Sequence, residues 1–205
     1  MKGATSFKDT KLGILSRQKV VRLEIEGVKK GLEFIHHEKL LDKTIKITPV
    51  FICKLHKISF AWIFPDWAGK FRKIQVTFSS KEAPEYYKIP ELMINLCMDL
   101  EERLKHTPKP SDKNYIDEIV KLLAWFQHKF VYIHPFNDYN GRTARMLTIT
   151  ILLNLDLPPI EIEATTIKNR KIYISAMQDA DNGKYSKLES LLASALIDSL
   201  RRIKI

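Results

Sequence analysis

The twelve residues from His134 to Arg145, HPFNDYNGRTAR, bring together a histidine, a carboxylate, an Asn-Gly pair and two arginines. These are the parts of a phosphate-transfer site. His134 titrates near neutrality, so a neutral fraction is available at pH 7 as a general base. Asp138 can hold Mg²⁺, which binds through few carboxylates together with substrate phosphates. Asn140 and Gly141 open an apolar segment, and the unpaired N–H groups at a helix N-terminus cradle phosphate oxygens. Gly141 lets the backbone approach an anion closely. Arg142 and Arg145 stand three residues apart, so on a helix both point the same way and can add charge-assisted contacts. Phe136, between polar neighbours, reads as a core anchor for the loop. Singly, each of these residues is as readily a turn, cap or surface side chain; their joint spacing points to chemistry.

The elements that must position this loop are helical. From Asn114 to Ile133, Ile116, Ile119, Val120, Leu123 and Phe130 share one face, so a helix ends where His134 begins. Residues 141–155 (GRTARMLTITILLNL) start after Asn-Gly and stop before Pro158-Pro159. A central, buried helix fits them, although the Thr and Ile content also allows a strand. Residues 90–105 read as a helix opening on Pro90, and a last helix spans about 187–203. From Arg17 to Ile35, Val21, Ile25, Val28, Leu32 and Ile35 form an apolar stripe, interrupted by Gly27 and Gly31, where a close contact or a break is expected. Between Phe71 and Phe78, Ile74, Val76 and Phe78 alternate with Lys73, Gln75 and Thr77, the period of a half-exposed strand. With no other strand in view, it reads as a hairpin on a helical body. Residues 45–64 do not divide, and 1–12 read as a loose polar arm. The expected fold class is all-α, one domain over 1–205 with a short β-flap.

Composition bounds the rest. The chain has 205 residues, 45% hydrophobic and 28% charged, ordinary for a globular domain with a sizeable core. No apolar run approaches the roughly 18 residues of a membrane helix, and the N-terminus lacks a secretory pattern. Cys53 and Cys97 exclude a disulfide framework and an all-cysteine zinc site, so a cytoplasmic protein is expected. The net charge of +10 invites a nucleic-acid reading. Half of that excess lies in residues 1–50, with 11 basic and 6 acidic side chains, and elsewhere the signs intersperse. A mixed solvated surface or an anionic substrate explains the charge as well.

The twelve-residue loop resembles the active-site motif of the Fic domain family, HxFx(D/E)GNGRxxR. The resemblance extends further along the chain. Trp67-Ala68-Gly69-Lys70-Phe71-Arg72 and the strand after it are similar to that family's flap. Leu157-Pro158-Pro159-Ile160, Tyr173, Ala176-Met177 and Ala180-Asp181-Asn182-Gly183 are similar to its segment after the motif. Arg22-Leu23-Glu24-Ile25-Glu26-Gly27 resembles its inhibitory motif, (S/T)xxxE(G/N).

The resemblance implies an all-helical protein adenylyltransferase, moving AMP from ATP-Mg²⁺ to a Ser, Thr or Tyr hydroxyl of a target protein, with pyrophosphate released. By position, His134 is its base and Asp138 its Mg²⁺ ligand. Asn140, Gly141, Arg142 and Arg145 bind the phosphates, Tyr173 and Asp181 lie near the adenine, and Phe136 anchors the loop. The flap residues Lys73, Ile74, Gln75, Val76, Thr77 and Phe78 pair with the target segment as an added strand. Glu26 is the candidate inhibitory carboxylate, pairing with Arg145. Two departures stand out. Tyr139 replaces the family Gly, at a steric cost if its φ is positive. Arg22 replaces the inhibitory Ser/Thr and could pair with Glu26, so leaky inhibition is expected. Other nucleotides, a Doc-like kinase (where Lys typically stands at the Gly141 position) and a non-catalytic interaction or nucleic-acid module are the competing readings. A homo-oligomer is compatible with the sequence, and the target is not named by it.

Overall fold

The computed structural model describes residues 7–79, 81–162 and 166–203. Its described residues form seven helices and two small hairpins. In order these are β1 (Phe7–Thr10), β2 (Gly13–Ser16), α1 (Arg17–Leu41), α2 (Pro49–Phe60), β3 (Thr77–Phe78), β4 (Lys81–Glu82), α3 (Ile89–Lys105), α4 (Tyr115–Ile133), α5 (Asn140–Asn154), α6 (Ile167–Asp181) and α7 (Ser186–Ile203). A short 3₁₀ turn, Tyr86–Lys88, leads into α3.

Helix α4 is the hub, packed against α3, α5, α6 and α7. Its apolar positions recur at helical spacing, and eleven of its residues are buried. Asp117 and Glu118 lie in its first turn, where negative charge suits the positive end of the helix dipole. Helix α5 runs beside it and also meets α1 and α2. With nine buried residues it is the central helix expected, and the strand reading of 141–155 is set aside. The undivided stretch resolves into α2, which opens on Pro49 and is capped by Thr48, whose side chain accepts the Phe51 N–H at 3.1 Å. Helix α6 is capped likewise by Thr166, which accepts the Asn169 N–H at 3.1 Å.

Three expectations change. The polar arm is not loose over its described part, since Phe7–Thr10 pairs antiparallel with Gly13–Ser16. The Thr10 hydroxyl donates to the Gly13 carbonyl at 2.7 Å and accepts the Leu12 N–H at 3.1 Å, closing the turn with Gly13 at φ +88°. The flap strand is shorter than the alternation suggests. Thr77–Phe78 pairs with Lys81–Glu82, one further bond joins the Ala83 N–H to the Val76 carbonyl, and Ile74 is exposed. The Ile74 carbonyl is taken instead by the Arg72 guanidinium at 2.8 Å, so that stretch has a side chain as its partner.

The buried face of α1 is also rotated from the apolar stripe. It runs through Val20, Glu24, Gly27, Gly31 and Ile35, while Ile25 is exposed. The two glycines explain this. A Cβ on Gly27 would strike the Ser59 carbonyl, and one on Gly31 would strike the Ser59 hydroxyl and Met146. The helix is unbroken, and its glycines let it press against α2 and α5.

Candidate active site

The loop 134–139 joins the C-terminus of α4 to the N-terminus of α5. His134 caps α4 in the left-handed region, with φ +52°, and Tyr139 precedes α5 with φ +63°. Side chains other than glycine hold such angles only when their surroundings compensate, and this occurs most at functional sites. The compensation is visible. Phe136 is fully buried, stacked on His56 at 3.8 Å between ring centroids. Its N–H donates to Asn140 Oδ1 and its carbonyl accepts from Asn140 Nδ2, both at 2.9 Å, so one amide pins the loop at both ends.

His134 is half-buried, and its ring lies parallel to Phe78 of β3, with centroids 4.2 Å apart. Its Nδ1 is 3.2 Å from the Val131 carbonyl. A carbonyl can only accept, so Nδ1 carries the proton and Nε2 presents its lone pair. Burial lowers the His134 pKa, as does the Arg72 charge; the Val131 bond and Asp138 oppose this without cancelling it. The imidazole is therefore neutral at pH 7 with Nε2 basic, the state a general base requires.

Asp138 accepts the Tyr139 N–H on Oδ1 at 2.7 Å and the Lys8 ammonium on Oδ2 at 2.6 Å. Burial alone would raise its pKa; Lys8, the Tyr139 N–H and Arg142 outweigh that and hold the carboxyl below its usual range. An ionised carboxylate offers the oxygen donors that Mg²⁺ takes. Among the described residues no cluster of three metal-ligating side chains exists, so further ligands would come from phosphates and water. Gly141 has space beside it, since a Cβ would meet only the Arg145 guanidinium at 3.6 Å. Packing does not demand a glycine here, and the first turn of α5 stays open beside it.

The arginines are held differently. Arg142 donates to Glu24 Oε2 at 2.6 Å and lies over the Tyr139 ring. Arg145 lies over the Tyr173 ring with no carboxylate paired to it among the described residues. Tyr173 is buried, and its hydroxyl accepts from Gln127 at 2.9 Å. Asp181 pairs with Lys81 of the flap and with His128 at 3.0 Å. Tyr173, Asp181 and Phe78 thus line one cavity of about 70 Å³, so these two residues and the flap are brought together. Lys73, Ile74, Gln75 and Thr77 are exposed, and Val76 extends the ladder by accepting the Ala83 N–H at 3.0 Å.

The expected pair of Glu26 with Arg145 is not formed among the described residues. Glu26 is exposed, without an ion pair to Arg22 or Arg145 among the described residues. Two residues along a helix is about 200° of rotation, so 24 and 26 face opposite ways. Glu24 is the carboxylate that meets the motif, and the motif arginine it meets is Arg142. It is fully buried, accepting from Arg142, from the Tyr139 hydroxyl at 2.9 Å and from Arg17 at 3.3 Å. The signal was present as a charge at helical spacing from Val20, Gly27 and Gly31. Tyr139, the departure from the family pattern, is packed against Phe60 at 4.3 Å and Trp67 at 5.8 Å, and its hydroxyl is one of Glu24's partners.

Two supporting residues were not assigned roles from sequence. Arg72 is buried and donates to the carbonyls of His134 at 2.8 Å, Ile74 at 2.8 Å and Pro84 at 2.5 Å. His56 accepts the Gly69 N–H on Nδ1 at 2.9 Å, so Nε2 carries the proton it gives to the Asp138 carbonyl at 3.2 Å.

The helical domain thus sets a neutral histidine, the open N-terminus of α5 and two arginines beside a small hairpin. Residues 46–152 match the model of the Fic/DOC family. The chain belongs to that family. It is 29% identical over 175 residues to the protein adenylyltransferase Fic of Nematostella vectensis, covering 85% of this chain and 38% of that protein. The Aedes aegypti protein of the same name is 28% identical over 178 residues, covering 87% and 33%. The chain thus spans about a third of the length of these curated relatives. In three dimensions it is similar to a Fic domain containing signaling protein from Bacteroides thetaiotaomicron, with TM-score 0.70, 22% identity and 87% and 70% of the two chains covered. It is also similar to the BepC protein of Bartonella tribocorum, with TM-score 0.70, 20% identity and 95% and 94% covered.

Proposed function

We propose that this protein is a protein adenylyltransferase, moving AMP from ATP to a Ser, Thr or Tyr hydroxyl of a target protein in the cytoplasm. The observation that carries the reading is the neutral His134, Nε2 unprotonated, at the loop that ends in the anion-binding terminus of α5. In the reaction the target hydroxyl gives its proton to Nε2 while its oxygen bonds to the α-phosphorus. The bond from that phosphorus to the bridging oxygen breaks, and pyrophosphate leaves with the electron pair. Asn140 holds the loop, the N–H groups from Gly141 onward bind phosphate oxygens, and Arg142 and Arg145 take the outer phosphates. Asp138 would hold Mg²⁺, which supplies charge neutralisation on the phosphates. Tyr173 and Asp181 would border the base, and the flap 73–78 would dock the target segment. The names of the curated relatives support the same activity.

The test is mass spectrometry of the protein, with candidate targets, after incubation with ATP, UTP or GTP and Mg²⁺. A mass gain of one AMP, lost in His134→Ala, is expected. A gain of one phosphate would make it a kinase, and no transfer from any nucleotide would make it a binding module.

A further inference from the structure

The first hairpin reaches the site through one side chain. Lys8 lies on β1, and its Nζ stands 2.6 Å from Asp138 Oδ2, 3.4 Å from the Tyr139 hydroxyl and 3.9 Å from Glu24 Oε1. It also lies over the Tyr139 and Phe64 rings, at 5.1 and 5.7 Å from their centroids. Two carboxylates and two ring faces around one ammonium make a cation site. Asp138 is the motif's one carboxylate, and its other oxygen is taken by the Tyr139 N–H. A divalent ion on Asp138 would meet the ammonium at the same oxygen, where like charges repel.

The hairpin is lightly attached. Its strands are four residues long, and a two-stranded hairpin has little stability of its own. Among the described residues one backbone hydrogen bond ties it to the helical body, from the Lys11 N–H to the Ile63 carbonyl at 2.9 Å. Leu12 and Ile14 are exposed, and among the described side chains of the hairpin's hydrophobics Leu15 alone packs on the core. Such segments open at low free energy.

We infer that the β1–β2 hairpin is a displaceable plug: Lys8 occupies the cation position on Asp138, and the hairpin and a metal-bound nucleotide exclude each other. The inference rests on the function proposed above, and it makes release of the hairpin a condition of transfer. A protein or ligand that drew residues 7–16 away would then activate the enzyme, and deletion of Lys8's charge would do so permanently.

The test reads metal and backbone directly. Mn²⁺ binding to the full chain is measured by electron paramagnetic resonance with a non-hydrolysable ATP analogue, for wild type, Lys8→Met, Asp138→Asn and the double variant. Loss of one charge-assisted bond sets the expected gain in Mn²⁺ affinity for Lys8→Met at about tenfold. Asp138→Asn should abolish that gain. In wild type, amide exchange over residues 7–16 should accelerate when Mn²⁺ and the analogue are added. Equal affinities for wild type and Lys8→Met, with Asp138→Asn still weakening both, would overturn the plug and leave the metal role of Asp138 standing. Unchanged exchange over 7–16 would overturn it also, without relying on any variant. Affinity indifferent to Asp138→Asn would remove the metal role itself, and the plug with it.

Discussion

At His134 a single hydrogen bond fixes the tautomer. Nδ1–H donates to the Val131 carbonyl, Nε2 keeps its lone pair, and burial holds the pKa below the ordinary histidine value. On the proposed function Nε2 is the base. A positioned base contributes roughly 10²–10⁴-fold to the rate. His134→Ala should therefore cut AMP transfer by about that factor while calorimetry shows nucleotide binding intact; affinity falling in step with rate would make it a binding residue. The transfer rate should hold constant as pH drops from 8 to about 6.5, the ordinary histidine value, and decline only below it. Glu24 is the second decisive residue. It neutralises Arg142, so Glu24→Gln should tighten triphosphate binding and raise initial self-labelling several-fold, whereas Glu26→Gly should change neither. A response to Glu26 alone would return the inhibitory role to it. The motif residues were legible because their types and order announce phosphate chemistry. Glu24 was not, because a charge on a helix reads as solvated unless the buried face is known, and here two glycines set that face.

At the scale of elements, α1 shows how far an apolar pattern can mislead. Val21, Ile25, Val28 and Leu32 recur at helical spacing, yet the helix buries the neighbouring stripe that includes Gly27 and Gly31. Closeness of approach, rather than side-chain hydrophobicity, determines the contact with Ser59 and Met146. Gly→Ala normally favours a helix by about 1 kcal/mol. Gly31→Ala should instead destabilise by about 1–3 kcal/mol through overpacking, seen as a lower urea midpoint at unchanged slope. A rise in midpoint would mean that α1 has room to retreat. Helices α3, α4 and α7 were legible in length and type, since an acidic first turn and apolar periodicity agree in each, with a Pro start in α3, whereas α5 rested on its flanking Asn-Gly and Pro-Pro. The flap was legible as a hairpin and not in extent, because no pattern reveals that a side chain will consume the Ile74 carbonyl. Helix α6 was missed, although Tyr173, Ala176, Met177 and Ala180 recur at helical spacing and are buried.

For the whole molecule, two histidines set the acid limit. His56 is fully buried between Gly69 and Asp138, and burial lowers its pKa to about 4; burial, then the charges of Lys129 and Lys81, brings His128 to about 4 as well. A folded-state pKa below the unfolded value means the neutral form is favoured by folding. The stability this represents is present above about pH 6.5 and is lost as pH falls from there toward 4, at up to about 1.4 kcal/mol per pH unit for each histidine. Chemical denaturation at pH 7.5 and 5.0 should show that loss, and His56→Gln should flatten it by about half. A midpoint independent of pH over that interval would contradict the burial of both rings. Neither histidine could be placed from sequence, since a histidine in an apolar helix carries no mark of its partners.

Arg72 binds three stretches of chain at once: the carbonyl of His134, that of Ile74 before the flap and that of Pro84 after it. On the function proposed above, the flap edge and His134 would share Arg72 as one mount. A target segment laid along the edge would then have to reach His134 Nε2 with its own side chain, so the length of the residue offered would bear on which hydroxyl reacts.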